Sequence, residues 1–463
     1  MAATATTNPP AHHWNGLGPD EAALAHIPGT KGLPMVGSTL QLLADPIKFT
    51  QDMANEFGYV YRTRVFGDWS VSLLGADANE LVLRNRDQVF SNEHGWAPIL
   101  DLLFPNSLML TDFEAHRIDR RALAPAFAPS SLQHYADALN AGIAREVSTW
   151  SGDRTFYPAI KQLALVLAAE SFVGVPWGTE AKQINEAFVG AVQASVAPIR
   201  KPLPYTAMKR GVDGRAFLVE YFTAECERRR REGGGNDIFS QFATATREDG
   251  SLLEVSEVVD QIIFLMMAAH DTITSSTTSV IDMLGRHPEW QNRVREEIWS
   301  VTGKPPHPGA PLPLSYEDFA KLPTVEMVFK ESLRIRPPLP SMPRQAVKDF
   351  SFGGFDLPAG TRIGIDIHYT HHDERYWDSP DTFDPERFTP ENEATHTDFA
   401  WVPFGGGAHK CLGLRFADMQ IKLMLTHILG RYEIQSEPGY APKWQIMPIQ
   451  RPKDGLKVRL QRI

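Results

Sequence analysis

A mainly α chain with a small β-rich part, α+β in class, is what the sequence predicts, and three stretches predict it. Val258 to Gly285 is one long apolar-rich run and reads as a central helix. Leu412, Phe416, Met419 and Leu423 recur at helical spacing behind a glycine-rich loop. Tyr59 to Leu74, by contrast, gathers Tyr59, Val60, Tyr61, Val65, Val71, Leu73 and Leu74 around Gly67-Asp68, the pattern of a β-hairpin. With 463 residues, 43% hydrophobic and 22% charged, the chain is globular in composition and long enough for a large core. Length alone suggests two or three domains.

Composition also excludes functions. Two cysteines, Cys226 and Cys411, cannot form a disulfide framework, so a reducing compartment is the natural setting. A net charge of −10 argues against a nucleic-acid partner, because phosphate binding needs a basic surface. Residues 1–10 carry neither a basic nor an apolar signal region, so a cytoplasmic protein without a membrane anchor is expected. Gln261 to Ile281 has membrane length but holds His270, Asp271 and a run of Ser and Thr. An Asp at mid-membrane costs about 2.5–3.5 kcal/mol, so this stretch reads as a buried helix. Residues 1–26 are polar and proline-containing and are expected to be disordered.

From there the elements follow in order. Pro28 to Gly37 is a rigid turn segment, and the hairpin comes next. Trp96 to Leu110 is apolar but interrupted by Pro98 and Pro105, so it cannot be one regular helix and is a candidate pocket wall. His116 and Arg120 stand four apart on one helix face. Glu227 to Glu232, followed by three glycines, reads as a solvated charged helix end and a flexible connection. In the middle of the central helix lie Ala268-Ala269-His270-Asp271-Thr272, where a buried acid beside a hydroxyl needs a reason. Glu331 and Arg334 are spaced i,i+3. Pro337 to Arg344 is too proline-rich for a helix and must run extended. Phe352 to Asp366 reads as short strands joined at Pro358-Ala359-Gly360.

The chemistry concentrates at Phe404-Gly405-Gly406-Gly407-Ala408-His409-Lys410-Cys411-Leu412-Gly413. Three glycines let backbone approach a flat ligand. Cys411 stands near a helix N-terminus, where the dipole and unpaired amides favour a thiolate, and it is the candidate metal ligand. This loop resembles the haem-binding loop of the cytochrome P450 family of haem-thiolate monooxygenases. Phe404, the two framing glycines, His409 two before the cysteine and Gly413 two after it carry the likeness.

That resemblance implies one large domain over residues 27–463, soluble and bacterial in type, with a haem b cofactor held by Cys411. It implies that His116, Arg120, Arg344 and His409 neutralise the haem propionates, and that Asp271 and Thr272 deliver protons for activation of dioxygen. Ala269 stands where the family usually has Gly, so the helix is expected either to bulge less or to rely on Thr272 bonding back to a preceding carbonyl. Glu331, Arg334 and Arg387 become a buried scaffold. His371 and Trp377 become part of a structural meander rather than of a zinc cluster. Trp96, Ile99, Leu103, Ala268, Leu339, Met342 and Met447 become substrate-facing.

The implied reaction inserts one oxygen atom into a hydrophobic small molecule. The Ala-His-Asp-Thr core and the Arg451 to Leu456 segment, expected to close a hairpin, lean towards fatty-acid, retinoid and steroid-like substrates. One spare cysteine cannot hold an iron–sulfur cluster, so electrons are expected from elsewhere, and the resemblance implies a ferredoxin with its reductase, docking where Lys410 and Arg415 add positive charge. Two rivals stand beside this reading. They are a hydrogen-peroxide-driven peroxygenase on the same fold and a non-catalytic haem-based binding or sensing protein.

Overall fold

The central helix runs from Val255 to Arg286, and its start is fixed by a reciprocal capping box between Glu254 and Glu257. That box satisfies amides which a helix otherwise leaves unpaired. The molecule is a computed structural model that describes residues 18–197, 199–304, 307 and 310–463. Hydroxyl side chains within a helix compete for its backbone. Here they are buried and bonded: Thr274 Oγ1 donates to His270 O at 2.7 Å, Thr278 Oγ1 to Thr274 O at 2.7 Å, and Ser275 Oγ to Gln450 O at 2.6 Å. Helices Phe156–Ala168, Ala207–Glu232, Pro323–Ile335 and Leu414–Leu429 pack against the central helix and share the principal apolar core with it. Cys226 is fully buried in that core. Among the described residues one helical stretch, Phe156–Val173, is long and apolar enough to cross a membrane, and 67% of it is buried inside the fold.

The β-rich part is a mixed six-stranded sheet in the order Gly29–Thr30, Val60–Val65, Asp68–Leu73, Arg362–Asp366, Ser341–Ala346, Phe90–Ser91. The predicted hairpin is its second and third strands, with Arg62 opposite Val71 and a turn in which Gly67 takes φ 91. Arg362–Asp366 runs parallel to Asp68–Leu73 and antiparallel to Ser341–Ala346, so the extended proline-rich segment ends inside the sheet. Val71, Leu73, Ile363 and Ile365 anchor a second, smaller core beneath it. The result is a mostly helical α+β fold, as predicted.

Trp96 to Leu110 is, as expected, not one regular helix: helix Asn92–Leu100 contains Pro98 and stops at Leu100, and a 3-10 turn follows at Leu108–Leu110. One expectation is corrected, at the start of the chain. Residues 1–17 lie outside the described residues, but the segment from 18 to 26 is ordered. Leu24 is fully buried in the sheet core beside Ile27, and Glu21 O accepts from Arg62 Nη1 at 3.3 Å. One well-placed apolar side chain docks a segment whose average polarity hides it. Near the C-terminus Arg451–Pro452 pairs antiparallel with Trp444–Gln445 and so closes a hairpin, whereas Lys457–Arg462 pairs with Tyr432–Gln435 and Gly152–Thr155.

Candidate active site

Cys411 lies in the turn between a 3-10 turn at Gly407–His409 and the helix that opens at Leu414. Its amide donates to Phe404 O at 2.9 Å, which folds the loop back on itself. The glycines serve packing more than ligand approach. A Cβ on Gly407 would stand 2.0 Å from Leu83 O, and one on Gly406 would press on Phe399 and Leu83, so the loop lies hard against helix Ala76–Arg84. Gly405 is needed for its φ of 67.

The Cys411 side chain has exposed area, yet burial dominates its titration and pushes the thiol up, against the pull of the Gly413 amide and the Arg120 and Lys410 charges. A metal cation at the sulfur would offset that desolvation and favour the thiolate.

Beside the loop, four groups able to carry positive charge converge. The helix Phe113–Leu123 places His116 inward, and its ring lies 3.8 Å, centroid to centroid, from that of His409. Arg120 Nη2 donates to Lys410 O at 2.6 Å and ties the same helix to the cysteine loop. Strand Ser341–Ala346 brings Arg344, which is buried and donates only to Pro343 O at 2.7 Å. Burial lowers Arg344 to about 10. His116 falls to about 4 through burial and the Arg120 charge, and His409 to about 2 through burial and then the charges of His116, Arg344 and Arg120. The one carboxylate in the cluster, Asp112, stands 3.7 Å from His409 Nε2 and is already engaged by Ser91 Oγ and the Asn92 amide. His116 Nε2 is buried with no hydrogen-bond partner. A buried polar atom without a partner costs roughly 1–3 kcal/mol. Beyond the engaged Asp112 no carboxylate among the described residues is placed in the cluster, and a cofactor bearing two carboxylates and a metal that Cys411 could hold fits that deficit.

On the central helix the chain stays α-helical through Ala268–Thr272, without a bulge, and Thr272 Oγ1 donates back to Ala268 O at 2.8 Å. Both consequences expected of Ala269 in place of Gly are thus present. Asp271 does not stand alone: Lys161 Nζ, on helix Phe156–Ala168, lies 3.2 Å from its Oδ1. His270 Nδ1 is also 3.2 Å away, though outside good hydrogen-bond geometry. Burial alone would raise Asp271, but the neighbouring His270 and the Lys161 charge hold it at about 2.

Glu331 and Arg334 form a bidentate pair at 2.7 and 2.8 Å with both side chains 0% exposed. Arg334 also donates to His371 O at 2.8 Å and Thr382 O at 3.2 Å. His371 Nε2 accepts from Val402 N at 3.0 Å, which links this pair to the start of the cysteine loop. Arg387 is the looser member: its Nε is 3.5 Å from Glu331, and its bonds go to Asp378 O and Ser379 O.

The predicted substrate wall is only partly assembled. Trp96, Ala268, Leu339 and Met447 are half-buried. Leu103 is fully enclosed in the principal core and has no surface to offer a ligand. Met342 is packed in the sheet core, with its Cε 3.8 Å from the position of a Cβ on Gly405. Ile99 is 38% exposed on the outside. Sequence reasoning missed Lys161 and Asp112. The signal for Lys161 was a single cation on an otherwise apolar helix.

Comparison with known proteins agrees with this arrangement. The chain matches a solved structure of a retinoic acid-bound cyanobacterial CYP120A1 with a TM-score of 0.84 and 31% identity, over 94% of this chain and 99% of that one. The sequence pattern of cytochrome P450 matches residues 27–458, and the chain belongs to that family. It is 35% identical to the putative cytochrome P450 136 of Mycobacterium tuberculosis, over 96% of this chain and 90% of the relative. It is 32% identical to the putative cytochrome P450 120 of Synechocystis, over 94% and 96%. It is therefore a haem-iron monooxygenase, an oxidoreductase that incorporates oxygen.

Proposed function

We propose that residues 27–463 form a haem b domain that inserts one atom of dioxygen into a retinoid-, fatty-acid- or steroid-like molecule, in the cytoplasm, with electrons from a separate ferredoxin-type protein. The observation that carries this is the convergence of His116, Arg120, Arg344 and His409, short of anions, beside a loop that presents one cysteine. Those four residues would hold the propionates, and Cys411 would hold the iron. When bound, the haem supplies the redox chemistry, and a thiolate on its iron favours O–O cleavage.

The chain's own part in proton delivery centres on Asp271, a carboxylate at neutral pH. Its Oδ1 can take a proton arriving along the half-buried Lys161 and pass it towards Thr272. Thr272 Oγ1, by donating to Ala268 O, keeps its lone pairs free to accept from a water. Trp96, Ala268, Leu339 and Met447 would face the substrate. Support for its class comes from the retinoic acid named with the CYP120A1 structure. Lys410 and Arg415 are exposed around Cys411 and would receive an acidic electron donor.

The test is Thr272→Ala, assayed with a surrogate ferredoxin system. Haem content and NADH consumption should persist while product per NADH falls by roughly tenfold or more, with hydrogen peroxide appearing in its place. Unchanged coupling refutes the proton-delivery role.

A further inference from the structure

A cavity of about 300 Å³ lies between the start of the central helix, helix Phe113–Leu123 and the stretch 106–111 that leads into that helix. Its lining shares no residue with the cysteine loop or the cationic cluster beside it. That volume stands at the small end of ligand pockets. Leu110, Leu123 and Leu253, all buried, form its apolar side.

The polar side rests on two side chains that are more than nine-tenths buried, Asp260 and Gln261, 6% and 4% exposed. Gln261 ties the central helix to the stretch in front of it: Oε1 accepts from Leu108 N at 2.9 Å, and Nε2 donates to Asn106 O at 3.0 Å. Asp260 accepts one bond on each oxygen, from Arg215 Nη2 at 2.5 Å and from Asn106 Nδ2 at 2.9 Å. A carboxylate oxygen has room for a second. Glu257 is held by Arg247 Nη2 at 2.6 and 2.7 Å. Asp119, by contrast, is half-buried in the lining and accepts no hydrogen bond among the described residues. Burial and then the Glu257 charge push its carboxyl above the ordinary range.

The uncommitted groups of the cavity are therefore acceptors. They are both oxygens of Asp119, Asn106 Oδ1, Ser256 Oγ and the remaining lone pairs of Asp260. The adjoining guanidiniums of Arg215 and Arg247 already donate to Asp260 and Glu257, so three carboxylates stand against two cations, and the unmatched charge is that of Asp119.

We propose that this cavity binds a small organic cation, an N–H-bearing guanidinium or ammonium headgroup on a short apolar stem. The headgroup pairs with Asp119 and reaches the free acceptors beside it, and the stem lies on the three leucines. Charge-assisted bonds of this kind are the strong ones, and a guanidinium matches a carboxylate with two parallel N–H groups. A bare divalent ion fits less well, because such ions want six or more oxygens, and here leucines line one side while arginines engage two of the three carboxylates. An anion would meet an unpaired carboxylate. The site is independent of the identity of the substrate.

The probe is n-butylguanidinium, which stays charged at any working pH and, being protonated, offers iron no lone pair. Full-length, haem-loaded protein is titrated calorimetrically with it, with n-butanol and with magnesium chloride at matched ionic strength. The guanidinium should saturate a single site with a Kd of about 1 mM or tighter, at least about tenfold tighter than n-butanol or magnesium, while the Soret band does not move. Asp119→Asn should weaken it about tenfold with its melting curve unchanged, since the carboxylate accepts no bond within the fold. If that variant melts early, Ser256→Trp carries the test: Ser256 is an exposed residue of the lining, and a bulky ring there should block entry. Absence of saturable binding overturns the proposal, as does magnesium binding as tightly as the guanidinium. Binding that both variants leave intact overturns it too, and a Soret shift on binding assigns the probe to the haem site instead.

Discussion

Arg334 and Arg344 are both buried arginines beside the Cys411 loop, 0% and 6% exposed, yet their surroundings differ in kind. Arg334 makes four hydrogen bonds, two to Glu331 and one each to His371 O and Thr382 O. Arg344 makes a single bond, to the carbonyl of Pro343, and its charge acts on His409, whose ring lies against that of His116, with a His116 Nε2 that has no partner. A buried cation with its demand met belongs to the fold. One with its demand unmet is prepared for a guest, and burial pushing Arg344 down to about 10 records the cost of waiting.

The sharpest way to break this comparison is to unpair the completed set. Glu331→Ala leaves Arg334 charged at 0% exposure, and loss of one partner in such a pair costs about 3–5 kcal/mol. Chemical denaturation should show that loss, and the purified variant should carry little haem. Native stability and full haem content would place the pair outside the scaffold.

Removing the unmet cation should act in the opposite direction on the protein itself. Arg344→Met takes away a desolvated charge that holds one carbonyl, so the haem-free protein should melt no lower than before. Haem affinity should fall by about 1.5–3 kcal/mol, the worth of a hydrogen bond to a charged group, read as faster haem transfer to apomyoglobin. A drop in the melting temperature of the haem-free protein with haem transfer unchanged would assign Arg344 to the fold.

The two sets were not equally legible in the sequence. Glu331 and Arg334, like His116 and Arg120, lie within one helical turn of each other, so spacing puts each pair on one face, while their roles came from the family resemblance. Cys411 announced itself by its glycine loop and by the scarcity of other cysteines. Asp112 and Lys161 left almost no trace, because their partners come from other elements: Lys161 meets Asp271 across 110 residues of chain. Leu103 and Met342 were hard to place for a related reason. An apolar residue that lines a pocket and one that fills a core look alike until packing is known, and both of these fill cores. Leu24 shows the same blindness at the chain's start, where average polarity concealed one buried side chain.

Lys161 offers the smallest of these effects. It helps hold Asp271 at about 2, below the ordinary aspartate value of 3.8. A carboxylate depressed in this way contributes stability that is present above pH 3.8 and lost as pH falls through that value towards 2. At neutral pH the contribution is at most about 2 kcal/mol. Lys161→Met should reduce stability at pH 7 by up to that amount, and the difference from the parent should vanish near pH 2. A difference that persists undiminished in acid would mean that Lys161 acts through packing and not through Asp271.

The central claim is that Cys411 is the metal ligand of the loop that the cationic cluster flanks. The reduced protein under carbon monoxide tests it most directly. The account predicts the long-wavelength Soret band of thiolate ligation, displaced to the histidine-ligated position by Cys411→His. A parent protein already absorbing at that histidine-ligated position would contradict it.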